Sequence, residues 1–320
     1  MSRRGRPEAN PAAGLTEGCP SSGATRRAAL RVLGLSAASL LGTSSQAQGQ
    51  GQGQGQGQAQ VARSPRIVTV GGAITEIVYT LGAQSQLVGT DTTSLFPAEA
   101  LRTPKVGYMR QLSAEGVLSL RPTALVATTE AGPPVVLDQL RNAGVQVELV
   151  KADHTWSEVQ RKVQAVGRAC ARTAQAESLQ RRLDDEWQAV LRQVAAATRS
   201  KPRVLFILSH AASPQVAGTA TAADALIRFA GATNAIAGFE GYRPLTAEAM
   251  ASAAPDVLLI TDQGLQAQGG EAKFWMRPEL ALAPAFRRKA LVSLDALLLL
   301  GFGPRLPQAV ATLHRRFAAW

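Results

Sequence analysis

From residue 66 onward, short apolar runs alternate with stripes of helical spacing. "RIVTV" (66–70) is β-branched and predicts a strand. Two glycines end it, and "AITEIVYTLGA" (73–83) carries a helical pattern that stops at Gly82. "QLVGT" (86–90), "TALVAT" (123–128) and "VQVELV" (145–150) predict three more strands. Between the last two, "PPVVLDQLRNAG" (133–144) reads as a helix with Pro at its start and Gly144 at its end. The programme restarts after residue 200, with "KPRVLFILS" as strand, "TAADALIRFAGA" as helix and "PDVLLIT" as strand. Strands alternating with helices predict parallel α/β packing. Between the two halves, Leu179, Leu183, Trp187, Val190, Leu191 and Val194 recur at helical spacing, and no Gly or Pro falls between Thr173 and Ser200. A continuous helix of about 25 residues, roughly 37 Å long, is expected there.

The halves also resemble each other. "LSAEGVLSLRPTALVAT" (112–128) aligns without gaps on "LTAEAMASAAPDVLLIT" (245–261) at an offset of 133, with 7 of 17 positions identical. A repeat of this kind predicts two similar lobes. The expected fold is therefore α/β, with two Rossmann-like lobes around central parallel sheets (64–172 and 201–320). One long backbone helix (173–200) joins them, and the ligand cleft lies between the lobes.

The first 63 residues follow a different grammar. "TRRAALRVLGLSAASLLG" places paired arginines before a short apolar run, and "SSQAQG" supplies small residues for cleavage near Ala47. Residues 1–47 thus read as an export signal of twin-arginine type, although the general secretory route fits the same pattern. The run is shorter than the ~20 residues of a membrane span and contains Arg31. The tract "QGQGQGQGQGQAQ" (48–60) has no apolar side chain larger than Ala, so 48–63 is expected to be a flexible tether. No Cys follows the apolar run to take a lipid anchor, and the protein is expected free in the periplasm.

Length and composition suit two globular domains: 320 residues, 46% hydrophobic and 18% charged. The formal charge is +11; residues 1–47 supply +4 of it, leaving +7. No dense Lys/Arg run with interleaved aromatics is present, so nucleic acid is not an expected partner. Cys19 would leave with the signal, and Cys170 alone makes no internal disulfide and reads as buried packing. The three histidines, His154, His210 and His314, show no zinc-type spacing.

One tract carries distinctive chemistry. "KVGYMRQLSAEG" (105–116) sets Tyr108, Met109 and Arg110 side by side in a loop before a helix start. A phenolate is a hard anionic oxygen suited to Fe(III), and Tyr serves as a haem axial ligand. A neighbouring Arg favours the phenolate and can donate to it. Equally, Tyr108 could be a half-buried packing residue and Arg110 a solvated charge. Met109 has a soft sulfur, better suited to contacting a ligand's plane than to binding Fe(III). His210 ends a strand at the carboxyl edge where α/β lobes bind ligands; it could reach iron from the opposite side or be a hydrogen-bonded strand-end residue. Tyr242 and Arg243, in "GFEGYRPL", are candidates from the second lobe, with Arg243 near a ligand's acidic groups. His154 reads as structural. The glycine turn "TVGGAIT" has neither a dinucleotide fingerprint nor a Walker lysine.

From about residue 64 to the C-terminus the chain resembles the periplasmic haem-binding proteins of bacterial haem ABC importers. They form part of the cluster with a single helical backbone that also includes cobalamin and siderophore binders. "RIVTVGGAITEIVYTLG", "VGYMRQLSAEGVLSLRP", "GTATAADALIRFAGATNAI" and "GYRPLTAEAM" carry the resemblance, and "GYMRQLSAEG" is the specific tract. The resemblance implies haem as the transported ligand, held one or two at a time, with Tyr108 on the iron and Arg110 hydrogen-bonded to it. It also implies that Glu115 and Glu248, at equivalent repeat positions, dock onto arginines of the permease dimer that works with its ATPase. Each Glu also suits the first turn of a capped helix. A monomer is expected. A cobalamin or ferric siderophore ligand is the alternative within the cluster, and a tetrapyrrole-processing enzyme such as a chelatase the alternative outside it. No positioned base and metal-handling set is visible for the latter, so no catalytic residue is expected.

Overall fold

The structure, a computed structural model, describes residues 64–198, 200–209 and 213–320. The expected signal, the tether, Cys19 and His210 lie outside the described residues. In the first lobe the elements run β1 (Ile67–Val70), α1 (Gly72–Thr80), β2 (Leu87–Thr90), β3 (Gly107–Tyr108), β4 (Gln111–Leu112), α2 (Ala114–Ser119), β5 (Ala124–Thr128), α3 (Pro134–Asn142) and β6 (Gln146–Val150). Two helices follow, α4 (Trp156–Ala169) and α5 (Thr173–Ala195). The second lobe begins with β7 (Arg203–Leu208), β8 (Gln215–Ala217), α6 (Ala222–Phe229), β9 (Thr233–Asn234) and β10 (Tyr242–Pro244). It continues through α7 (Ala247–Ala253), β11 (Val257–Thr261), α8 (Asp262–Ala267), α9 (Glu271–Phe274), α10 (Pro284–Arg288), β12 (Leu291–Leu294), α11 (Ala296–Leu300) and α12 (Leu306–Phe317).

The first lobe holds a four-stranded sheet in the order β2-β1-β5-β6, all parallel. Strand periodicity sends Ile67 and Val126 to one face, against Ile74 and Ile77 of α1 and Val163 and Val166 of α4. Val68, Leu125 and Ala127 go to the other face, against Val136, Leu137 and Leu140 of α3. The second lobe's sheet runs β10-β8-β7-β11-β12, with β7, β11 and β12 parallel and β8 and β10 antiparallel at one edge. The 133-residue offset maps β5 onto β11 residue for residue, and each sits between two parallel strands. The helix before each strand is capped alike: Ser113 accepts from the Gly116 N–H at 3.3 Å, and Thr246 from the Ala249 N–H at 3.0 Å.

The long uninterrupted stripe folds as α5, 23 residues and about 35 Å. It does not join the lobes alone. α4 packs on α1 and the first sheet, α5 packs on α4, and α12 of the second lobe packs on α5. Gly167 permits the close α4–α5 approach, since a Cβ there would lie 2.5 Å from that of Ala176. Across this junction the Trp156 and Trp187 rings stack at 4.8 Å, and Phe229 of the second lobe meets Trp187 edge-on at 5.0 Å. Asp184 secures the stack by accepting from the Trp156 indole N–H at 2.7 Å.

An ion pair and a buried lysine tie the lobes directly. Arg305 donates from Nε (2.6 Å) and a terminal nitrogen (2.9 Å) to the two oxygens of buried Glu76 on α1, while its guanidinium lies 3.7 Å from the Phe96 ring centroid. Lys162 on α4 is 2% exposed and pairs with Glu158 at 2.6 Å. It also donates to the carbonyls of Gly301 (2.9 Å) and Phe302 (3.0 Å).

Replacing Trp187 by Ala removes the centre of the junction and is expected to cost about 3–5 kcal/mol of stability, read from the denaturant midpoint at unchanged m-value. Cys170 is buried at the end of α4, and that burial pushes its thiol up to about 11. Iodoacetamide at pH 8 should therefore leave Cys170 unmodified in the folded protein and alkylate it in denaturant, as followed by peptide mass.

Candidate functional site

Tyr108, Met109 and Arg110 lie not in an open loop but on a tight β-hairpin. Tyr108 pairs with Gln111, and Met109 and Arg110 form the two-residue turn. The hairpin is anchored on both sides: the Thr92 N–H donates to the Gly107 carbonyl (2.9 Å), the Leu112 N–H to that of Gly132 (2.9 Å), and the Gly132 N–H to that of Met109 (2.9 Å). Gly107 takes a φ of 103°, which favours glycine and aims the turn outward.

Tyr108 is 39% exposed, so its phenol is available to a ligand. Arg110 is shared between two oxygens. One terminal nitrogen donates to the Tyr108 phenol at 3.4 Å and the other to a Glu130 carboxylate oxygen at 2.6 Å. Burial opposes the charge on Arg110, but the hydrogen bond and charge of Glu130 outweigh it and raise its pKa above the ordinary arginine value. The guanidinium is thus a fixed cation beside the phenol. Glu130 sits just past the carboxyl end of β5, where strand-end loops of α/β lobes reach their ligands.

These three residues form one wall of an outer cavity of about 540 Å³, and Ser209, Thr221, Tyr242 and Gly264 of the second lobe form the other. Tyr242, on edge strand β10, lines this cavity beside Thr221. Its partial desolvation in the cleft, with Glu130 nearby, raises its pKa against the opposing effects of Thr221 and the Arg110 charge, although the residue is 36% exposed, and it is a neutral phenol at pH 7. At the repeat offset of 133, Met109 and Arg110 correspond to Tyr242 and Arg243. The two lobes therefore bring equivalent segments to opposite walls.

An inner cavity of about 420 Å³ adjoins the outer one, sharing Glu130, His154, Gln263, Ala296 and Leu300 as lining. Met109 lines it, and its end wall is the buried Glu158–Lys162 pair. The glycine turn before α1 also lines this cavity, but the molecule already satisfies its N–H groups: Gly71 donates to Asp91 (2.9 Å) and Gly72 to the Thr93 hydroxyl (3.2 Å). Another hollow, of about 610 Å³, lies wholly on the second lobe around Asp224 and Arg228 and takes no residue from the hairpin.

Three placements differ from expectation. Arg243 lines neither cavity of the cleft; strand alternation sends it away from Tyr242, and it stacks on Phe239 at 4.4 Å. His154, expected to be structural, lines both cavities, with its ring 5.3 Å from Phe302 and its backbone at a φ of 55°. The buried Glu158–Lys162 pair within α4, with Lys162 reaching carbonyls of the second lobe, was not expected, although Lys162 falls on the apolar stripe of Val159, Val163 and Val166, where a lysine is out of pattern. Glu115 and Glu248 are exposed on the first turns of α2 and α7, outside the cleft. Among the described residues no cluster of three or more His, Cys, Asp or Glu could hold a bare metal ion. No described helix is long and apolar enough to cross a membrane.

Residues 67–298 match the family described as periplasmic binding protein. Among solved structures, the chain is similar to the periplasmic heme-binding protein BhuT in complex with two hemes, at a TM-score of 0.76 and 48% identity, over 80% of this chain and 98% of that one. It is similar to the periplasmic heme-binding protein RhuT from Roseiflexus sp. RS-1 in apo form, at a TM-score of 0.76 and 39% identity, over 80% and 98% of the respective chains. By sequence it is 26% identical over 251 residues, 78% of each chain, to the uncharacterized ABC transporter substrate-binding lipoprotein YvrC of Bacillus subtilis (strain 168). With its two α/β lobes, the cleft between them and a family match over most of the folded chain, this protein belongs to the periplasmic binding protein family.

Proposed function

We propose that this protein captures ferric haem in the interlobe cleft and delivers it to an inner-membrane ABC importer. The observation that carries the reading is the Tyr108–Arg110–Glu130 arrangement on the cleft wall. A phenol on a rigid turn, with a guanidinium held beside it by a carboxylate, is a preorganised oxygen donor for Fe(III). On metal binding the phenol loses its proton, and Arg110 donates to the resulting phenolate, favouring the charged form. The neutral Tyr242 faces the same space from the second lobe and offers a hydrogen bond or a flat apolar surface instead of an anion. Likeness to BhuT and RhuT, both described as heme-binding, supports the choice of cargo.

The remaining parts follow the same reading. Residues 1–47 direct export, and 48–63 tether the lobes 64–172 and 201–320, with the expected backbone helix, α5 (Thr173–Ala195), between them. Glu115 and Glu248, one per lobe on equivalent capped helices, present paired carboxylates to a permease dimer with two basic pockets. No catalytic residue is assigned.

Ferric haem titrated into the protein purified from the periplasm should give the absorption spectrum of tyrosinate ligation. Tyr108→Phe should lose that signature and bind roughly 100-fold or more weakly, and Arg110→Ala about 10-fold more weakly. Wild-type affinity and spectrum in Tyr108→Phe would reject the ligand assignment, and displacement of haem by equimolar cobalamin would reject the cargo. The double variant Glu115→Ala/Glu248→Ala should bind haem as wild type does. It should fail to stimulate the importer's ATPase in vesicles, and full stimulation would remove the docking role.

A further inference from the structure

Resting on the haem reading above, we infer that Glu130 is a positioning residue with a second effect: it fixes Arg110 beside the Tyr108 phenol, and its negative charge near that oxygen hastens release of the cargo. The two effects have opposite sign. Glu130 lines both the outer and the inner cavity, on the turn that follows β5. The Ala131 N–H closes that turn on the Thr128 carbonyl (3.0 Å), and the Gly132 N–H ties it to the hairpin through the Met109 carbonyl (2.9 Å). Carboxylate and guanidinium therefore ride on two backbone segments locked to each other. The bond between them, 2.6 Å, has charge-assisted length, whereas Arg110 stands 3.4 Å from the phenol. The guanidinium is thus engaged more closely with the carboxylate than with the phenol.

Holding Arg110 needs only an acceptor, and a neutral amide oxygen would serve. A carboxylate adds a charge that the phenol feels. When Tyr108 loses its proton to bind Fe(III), a second anion one guanidinium away disfavours the phenolate. Ferric haem with both carboxylates ionised is itself a net anion, and the same group repels it. The charge reaches across the cleft: the Tyr242 phenol is raised first by desolvation and next by Glu130, with Arg110 opposing. The Arg110 and Glu130 side chains are 55% and 40% exposed, so water screens the effect to roughly three- to fivefold. Arg110 in turn both donates to the phenolate and cancels the carboxylate. Its removal leaves Glu130 uncompensated, so part of the resulting loss belongs to Glu130 and not to the missing donor.

Glu130→Gln keeps the shape and the acceptor for Arg110 and removes only the charge. Haem affinity is read from the absorption titration, and release from the rate of transfer to excess apomyoglobin. The variant should keep the tyrosinate signature, with its phenolate-to-iron charge-transfer band at higher energy, since Arg110 then stabilises the phenolate without an opposing charge. It should release haem about three- to fivefold more slowly than wild type. Made in the Arg110→Ala background, the same change should slow release at least as much and recover part of the lost affinity. Release from Glu130→Gln at the wild-type rate or faster would overturn the proposal, because Glu130 would then only position Arg110, and no slowing in the Arg110→Ala background would overturn it equally. A wild-type protein that gives no tyrosinate complex would overturn the haem reading and this inference together. A normal wild-type complex with unslowed release from Glu130→Gln sinks this inference alone.

Discussion

A lysine ammonium without water is the constraint on which the cleft depends. Lys162 lies on the lobe-facing side of α4, and burial pulls its pKa below the ordinary lysine value while the charge of Glu158 pulls the other way. Removing such a charge from water costs several kcal/mol, and the cost is offset only when its protons meet good acceptors in good geometry. One acceptor comes from its own helix and two from the Gly301–Phe302 backbone of the second lobe. Pulling the lobes apart would strip two acceptors from a buried cation. The bidentate Glu76–Arg305 pair adds a second penalty of the same kind, and the Trp156–Trp187–Phe229 stack fills the space between. The cleft is therefore set before a ligand arrives, which lowers the ordering cost of binding.

On that fixed frame the duplicated architecture produces unequal walls. The same repeat position supplies a hairpin turn in the first lobe and an edge strand in the second. In the hairpin, Arg110 points along the cleft and is held by Glu130 beside an accessible phenol. In the edge strand the equivalent Arg243 alternates to the far face onto Phe239, and Tyr242 alone faces inward. The environments then diverge. One wall presents a phenol beside a guanidinium, and the other a phenol whose neighbouring arginine is turned away onto Phe239. Duplication supplied two scaffolds, and local backbone geometry held an arginine against a cleft-lining phenol on the first lobe while turning its counterpart onto Phe239 on the second.

Strand and helix order, the repeat, the long helix and the Tyr-Met-Arg tract could all be read from the chain, because each is a local pattern. Periodicity reports which face of an element is buried, and turn residues report where it stops. Glu130, His154 and the Glu158–Lys162 pair were not legible in that way. Glu130 is an ordinary acidic residue after a strand until the hairpin brings Arg110 within 2.6 Å of it. His154 looks like a loop histidine until the 302 segment, 148 positions later, brings the Phe302 ring to 5.3 Å from it. Lys162 breaks the apolar stripe of α4, yet nothing nearby in sequence shows that its partners are carbonyls some 140 residues away.

The sequence by itself determined the fold class, the twofold repeat and the residue types able to meet iron, since these follow from hydrophobic period and side-chain chemistry. Tertiary structure decided the rest: which carboxylate holds the arginine, which of the paired arginines turns away from the cleft and which carbonyls meet the buried lysine. Burial and hydrogen-bond pairing depend on distances between segments far apart in the chain, and no local pattern encodes those distances.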